Sequence, residues 1–281
     1  MSNYRKRPMP TNGLPPGIPY IIGNEAAERF SFYGMKSILL VFMTTYLMQP
    51  DGSPDVFSNK EAEAWNHLFV ASAYFFPIIG GLLADAFLGK YLTIIILSMV
   101  YCLGHGCLAF MGFTGDTRLW LLGGLALIAI GSGGIKPCVS SHVGDQFSQR
   151  NKHLLSRVFG WFYFSINLGA FLSGLLTPFL LEARNSTGTL GGEVYPFVEF
   201  AVGSKIENEV IFGPHYAFGL PGILMALATL FFWLGRKDFA HIPPRGIIYF
   251  RETFTLESLR PIFRLSLIFS FVIMFWALFD Q

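Results

Sequence analysis

Seven mainly apolar stretches run through this chain, at residues 20–48, 65–88, 92–113, 118–140, 155–181, 215–235 and 264–281. Each is close to the ~20 residues a helix needs to cross the hydrocarbon core of a bilayer. No other feature constrains the fold as much. A backbone in lipid must satisfy its own hydrogen bonds, and a helix does so within one segment. Composition points the same way: 52% of the 281 residues are hydrophobic, 30 of them Phe, and only 14% are charged. A soluble surface of this size needs roughly a quarter of its residues charged. The expectation is an all-α membrane protein lying in a lipid bilayer.

Other classes are disfavoured. The net charge of +2 comes without a basic run, so no nucleic-acid partner is expected. Cys102, Cys107 and Cys138 sit inside apolar stretches with neither disulfide-framework nor zinc-ligand spacing. They read as small buried residues, and neither metal nor cofactor is expected. The first 17 residues are polar and rich in Pro and Gly, with no signal-peptide cleavage pattern. The last apolar stretch reaches Asp280 and Gln281 without a polar exit, which suggests a truncated chain.

Lysine and arginine divide unevenly between alternate loops. Arg5, Lys6, Arg7, Lys90, Arg150, Lys152, Arg157, Arg236, Lys237, Arg245, Arg251, Arg260 and Arg264 fall on one side. Lys60, Arg118, Arg184 and Lys205 fall on the other, among Asp51, Asp55, Glu61, Glu63 and Asp116. The positive-inside rule then places the N-terminus in the cytoplasm of a multi-pass protein of the cell membrane. The organisation expected is a tail over 1–19, a six-helix bundle over 20–235, a linker over 236–263 and a further helix from 264. The bundle carries an outer loop, 182–214, with room for a short hairpin. The linker's Pro243-Pro244 and mixed charge suit a connector with a surface helix.

A few charges remain at membrane depth: Glu25, Glu28, Arg29, Lys36, Lys136 and, at the chain's end, Asp280. An unpaired charge there costs about 2.5–3.5 kcal/mol even on the lenient insertion scale, so these groups must pair or face water. At about 100° per residue, Glu25, Arg29 and Lys36 share an arc of roughly 40°, with Glu28 about 60° to one side. Such a stripe must face other helices or a cavity. A salt-bridge cluster that only fixes helix register is the bland alternative. Carboxylates among cations can instead couple proton binding to the exchange of ion pairs. Lys136 lies in Gly131-Ser-Gly-Gly-Ile-Lys-Pro137, where glycines and proline allow close packing or local unwinding.

The stretch Glu25-Ala-Ala-Glu28-Arg29-Phe-Ser-Phe-Tyr33-Gly34 resembles the first-helix motif of the proton-dependent oligopeptide transporter (POT) family, a branch of the major facilitator superfamily. Gly80-Gly81-Leu-Leu-Ala-Asp85-Ala-Phe-Leu-Gly89-Lys90 and Phe159-Gly-Trp-Phe-Tyr163-Phe-Ser-Ile-Asn167-Leu-Gly169 resemble its two signatures. Gly133-Gly-Ile-Lys136-Pro137 and Phe275-Trp276-Ala-Leu-Phe-Asp280 are similar to its fourth and seventh helices.

The resemblance implies an N-terminal six-helix bundle plus the start of the seventh helix, with the second bundle missing from the chain. It implies a symporter that imports di- and tripeptides with protons by alternating access. Proton coupling then falls to Glu25, Glu28, Arg29, Lys136, His67 and Asp280, with Lys136 expected either to pair with a carboxylate or to contact the peptide carboxylate. His67 stands where animal members carry a histidine implicated in proton handling, and a packing role is the alternative for it. Peptide binding falls to Tyr33, Lys36, Tyr74, Lys136, Asn167 and Trp276. Gly81, Asp85, Gly89 and Lys90 form a gating loop, in which Asp85 either caps the third helix or bonds a neighbouring bundle end. Phe32 replaces a common tyrosine, and Lys36 stands where arginine is common. Rival readings are a same-family carrier of nitrate or another small metabolite, and a non-transporting membrane receptor. No nucleophile–base pattern suggests an enzyme.

Overall fold

The computed structural model describes residues 4–181, 213–253 and 255–279, and the backbone of five short strands between residues 184 and 211. Side chains at 256–257, 272–273 and 276–279 lie outside the described set.

Eight helices form the described chain: α1 (Ile18–Val41), α2 (Asn59–Leu82), α3 (Lys90–Phe110), α4 (Thr117–Asp145), α5 (Leu155–Leu181), α6 (Gly213–Leu234), α7 (Ile247–Thr253) and α8 (Leu256–Phe279). Among the described residues, five helical segments are long and apolar enough to cross a membrane, and they contain α2 to α6. Helix α1 is as long as α2 at 24 residues but carries the stripe of four charges.

The helix ends follow local chemistry. Ser58 and Glu61 start α2 with a reciprocal capping box: the Ser58 N–H donates to Glu61 Oε2 at 3.0 Å, and the Glu61 N–H to Ser58 Oγ at 3.4 Å. Asp116 starts α4 by accepting from the Arg118 and Leu119 amides at 2.8 and 3.3 Å. Helix α1 loosens into a π turn over Phe42–Tyr46, short of the expected end at 48. Helix α2 does the same over Leu83–Leu88, where Gly89, at φ 78°, ends it. That backbone region suits glycine.

Helix α3 packs on α4 and α6, α1 on α5 and α6, and α2 on α4. With no water to drive apolar faces together, bilayer helices associate through close backbone approach at small residues. Gly80 of α2 meets Gly134 of α4 so closely that a Cβ at position 80 would overlap the Gly134 backbone. Gly106 has open space around it. Gly80→Ala is therefore expected to cost about 1–3 kcal/mol through overpacking, and Gly106→Ala close to nothing. Thermal melting of both variants in detergent checks this; equal melting temperatures would contradict the packing.

One end of the bundle gathers the N-terminal tail, the α4–α5 turn and the segment after α6. The His241 amide donates to Arg5 O at 2.7 Å, Asn151 Nδ2 to Gly13 O at 3.0 Å and the Ala240 amide to Gln146 Oε1 at 2.8 Å. At the other end, Arg118 pairs with Asp55 at 2.9 Å and lies 4.3 Å from the Phe57 ring centroid.

Other differences from the sequence expectation concern element bounds and continuity, and α2 starts at Asn59 rather than 65. The 182–214 loop holds five antiparallel strands rather than one hairpin: β1 (Arg184–Asn185), β2 (Thr189–Leu190), β3 (Glu193–Val194), β4 (Ser204–Ile206) and β5 (Glu209–Ile211), in the order β3-β2-β1-β5-β4. Helix α8 starts at Leu256 rather than 264, because Thr255 Oγ1 accepts the Ser258 amide at 3.3 Å and caps it. Helix α4 runs unbroken through Gly131–Pro137, so its glycines serve close packing and no unwinding occurs.

Candidate functional site

Helix α1 supplies the centre of the site. Glu25 and Glu28 are 1% and 0% exposed, a burial that carboxylates tolerate only with partners. Arg29 Nε lies 2.6 Å from Glu25 Oε1, a hydrogen-bonded ion pair one turn apart. It also lies 3.2 Å from Glu28 Oε2. That second contact is an ion pair without hydrogen-bond alignment, and Glu28 Oε2 has no hydrogen-bond partner among the described residues. We regard Glu25–Arg29 as the tighter contact for that reason.

Two residues that sequence reasoning missed hold Glu28 from other helices. Ser132 of α4 donates its hydroxyl to Glu28 Oε1, and Tyr101 of α3 donates to the Glu28 carbonyl at 3.4 Å. Both side chains are fully buried. Ser132 stands one turn before Lys136 on α4, so helical spacing from the lysine was the available signal. Tyr101 offered none beyond being a phenol in an apolar helix. Gly169 of α5 completes the enclosure: a Cβ there would lie 3.3 Å from Arg29 Cβ and closer still to the α1 backbone.

Lys136 makes no ion pair among the described residues. Its ammonium sits 4.2 Å from the Phe32 ring centroid and 5.3 Å from that of Tyr74, where ring quadrupoles hold a cation. Phe32 is buried, and its ring lies 5.8 Å from Phe69. Phe32 is thus the floor beneath Lys136. Tyr74 is 70% exposed and Tyr33 37%; Lys36 and Asn167 are exposed as well. Asn167 Nδ2 donates to the Tyr163 carbonyl at 2.8 Å. A buried acidic pair and its arginine therefore lie on the same helix as Tyr33 and Lys36, with Lys136 and Tyr74 beside them.

Other expected residues stand apart. His67 is exposed on α2 with no polar partner among the described residues. It lies seven residues, or roughly 10 Å of helix rise, from Tyr74, and is not drawn into the acidic cluster. Asp280 and the Trp276 side chain lie outside the described residues.

Gly81 belongs to α2, and Asp85 to the π turn after it. No side chain caps α3 at Gly89, so the capping role considered for Asp85 is not observed. Lys90 pairs with Asp145 at 2.7 Å. The Arg245 and Gly246 amides donate to the carbonyls of Asp85 and Ala86 at 2.8 and 3.0 Å. The segment after α6 thus straps the turn between α2 and α3.

Comparison with known proteins agrees with this arrangement. The PTR2 profile, described as the POT family, matches residues 91–256. Human solute carrier family 15 member 2 is 37% identical over 252 residues, covering 86% of this chain and 30% of that protein. Peptide transporter family 1 of Drosophila melanogaster is 37% identical over 240 residues, covering 84% and 28%. The crystal structure of the POT family transporter PepTSo superposes with a TM-score of 0.66 at 43% identity, over 83% of this chain and 40% of that one. The helical fold is that of major facilitator-type transporters, and the chain belongs to the POT family. It spans about 30% of the length of the curated relatives it matches.

Proposed function

We propose that this chain contributes the N-terminal bundle of a proton-coupled symporter that imports di- and tripeptides by alternating access. The observation that carries this reading is the buried Glu25–Arg29–Glu28 set beside an open face bearing Lys136, Tyr74, Tyr33 and Lys36. Peptide ends are a fixed pair of opposite charges. Lys36 and Lys136 attract the carboxylate, and carboxylates of a second bundle attract the amine. Asn167 belongs to the same peptide site in this reading, and Trp276, whose side chain lies outside the described residues, is assigned to it from the family motif alone. One site then accepts many side chains.

Coupling follows from competition for Arg29. With both carboxylates ionised, Arg29 serves Glu25 and Glu28 together. A proton on either frees part of that attraction and changes which ion pairs favour each bundle orientation. His67 and Asp280 stand as further proton carriers. Gly81, Asp85, Gly89 and Lys90 gate the cytoplasmic side in this scheme.

The test is Lys136. Lys136→Ala should leave a folded protein and cut labelled dipeptide uptake at least ~10-fold, the loss expected for a charge-assisted contact. Lys136→Arg should retain part of it, because the guanidinium keeps the charge but not the ammonium's geometry. Undiminished uptake by the alanine variant would contradict the assignment.

The same reading sets topology: a multi-pass protein of the cell membrane with its N-terminal tail, Lys90 turn and 236–263 linker in the cytoplasm. Single cysteine probes at 51–63 and 183–213 should react with an impermeant maleimide applied outside. Probes at 145–153 and 238–258 should not; strong labelling of these would reverse the orientation.

A further inference from the structure

Among the described residues the Glu28 carboxyl receives one hydrogen bond, and it comes from a hydroxyl. Ser132 of α4 donates to Glu28 Oε1, while Oε2 faces Arg29 Nε at 3.2 Å without hydrogen-bond alignment. Glu25 is held differently: Arg29 Nε donates to its Oε1 at 2.6 Å. The two donors differ in kind. A guanidinium has no acceptor, so a proton placed on the oxygen it serves costs the bond. A hydroxyl donates to a carboxylate and, after rotating, accepts from the neutral acid. Glu28 can therefore take up and release a proton without giving up its hydrogen bond.

Ser132 is also fixed in place. It is fully buried and lies between two glycines at which α4 touches its neighbours. A Cβ at Gly131 would come within 2.8 Å of the Leu97 carbonyl oxygen on α3, and one at Gly133 within 2.9 Å of the Ala73 carbonyl oxygen on α2. Tyr101 of α3 donates to the Glu28 carbonyl at 3.4 Å and closes the third side. Helix α4 runs unbroken through this stretch, so Ser132 and Lys136 are one turn apart on a rigid element, about 6 Å in rise. Whatever displaces Lys136 together with α4 displaces the hydrogen bond to Glu28 with it.

We propose that Ser132 is a positioning residue for proton exchange: its hydroxyl holds Glu28 Oε1 in both protonation states and sets the pH at which that carboxyl takes up its proton. This role rests on the reading of Glu28 as a proton carrier. The charged and titratable groups that act on Glu28 are Glu25, Arg29 and Tyr33 of α1, Lys136 of α4 and Tyr101 of α3. Helices α5 and α6 meet this part of α1 through Gly169 and the Pro221 carbonyl, and α2 meets it through Phe69 on Phe32. All of these stay in place when only the Ser132 hydroxyl is removed, so the change isolates that hydroxyl.

The experiment is a pH titration of the full-length transporter in liposomes. Infrared difference spectroscopy follows the C=O band of protonated carboxyl groups, and labelled dipeptide uptake is measured in the same preparation. The Glu28 band is identified by its loss in Glu28→Gln. A hydrogen bond donated to a carboxylate favours the charged form, so its removal moves protonation to higher pH. Ser132→Ala should raise the midpoint of the Glu28 band by about 1–2 pH units, the worth of a hydrogen bond to a charged group. The uptake profile should move the same way. Ser132→Thr keeps the hydroxyl and should keep the wild-type midpoint. Ser98→Ala is the control: it removes an equally buried hydroxyl that has no partner among the described residues, and it should leave the midpoint unchanged. An unmoved midpoint in Ser132→Ala overturns the proposal even where uptake falls. So does an equal shift in the alanine and threonine variants, or a wild-type protein with no Glu28 band at any pH. A band that shifts as expected in a protein that moves no peptide supports the role of Ser132 and removes the peptide reading instead.

Discussion

Arg29→Ala is expected to prevent the bundle from reaching its native packing. The substitution leaves Glu25 and Glu28, at 1% and 0% exposure, with no ion-pair partner among the described residues. Removing one partner from a buried ion pair costs about 3–5 kcal/mol, a large part of the 5–15 kcal/mol that holds an ordinary domain together. Here one arginine serves two carboxylates. The variant should yield aggregated or strongly destabilised protein by size exclusion and thermal melting. Arg29→Lys should fall between, since an ammonium lacks the planar fork. The informative companion is the triple variant Glu25→Gln, Glu28→Gln, Arg29→Ala. With every charge removed, the desolvation cost goes as well, and stability should return in large part. Uptake should not return. A stable Arg29→Ala single variant would mean that the carboxylates do not depend on Arg29, and the competition mechanism would lose its basis.

The second large effect concerns coupling. Glu28→Gln keeps size and hydrogen-bonding capacity, and its amide oxygen can still accept from Ser132. What disappears is the ability to exchange a proton. The expected outcome is loss of dipeptide accumulation against its gradient, with peptide exchange down its own gradient partly retained. Uptake and counterflow in the same liposomes separate the two. Equal loss of both would make Glu28 structural. Retained accumulation in proportion to the pH gradient would move the proton elsewhere, with His67 and Asp280 the next candidates.

Much of this site was legible in the sequence because membrane depth makes charge conspicuous. Glu25, Glu28, Arg29 and Lys136 stand out from apolar neighbours, and helical periodicity alone gathers Glu25, Arg29 and Lys36 onto one stripe. The spacing also fixed which loops lie together. Cross-helix contacts were not legible. Ser132 and Tyr101 reach Glu28 from α4 and α3, and a serine or phenol in an apolar run gives no sign of its partner. Nor could periodicity show that Lys136 rests on Phe32 rather than on a carboxylate, since a cation–ring contact is set by helix separation. Helix ends were misplaced where polar caps extend a helix beyond its apolar stretch, as Ser58 and Thr255 do. The strapping of the α2–α3 turn runs through backbone amides at Arg245 and Gly246, which carry no side-chain signature.

The central claim, that this bundle belongs to a machine moving peptide with protons, is tested most directly by one measurement. The full-length protein is reconstituted into liposomes, and uptake of a labelled dipeptide is followed with and without an imposed inward pH gradient. The account predicts accumulation above the external concentration only with the gradient, collapsing when a protonophore is added. Accumulation that ignores the gradient, or no peptide movement by a folded and correctly inserted protein, would contradict it.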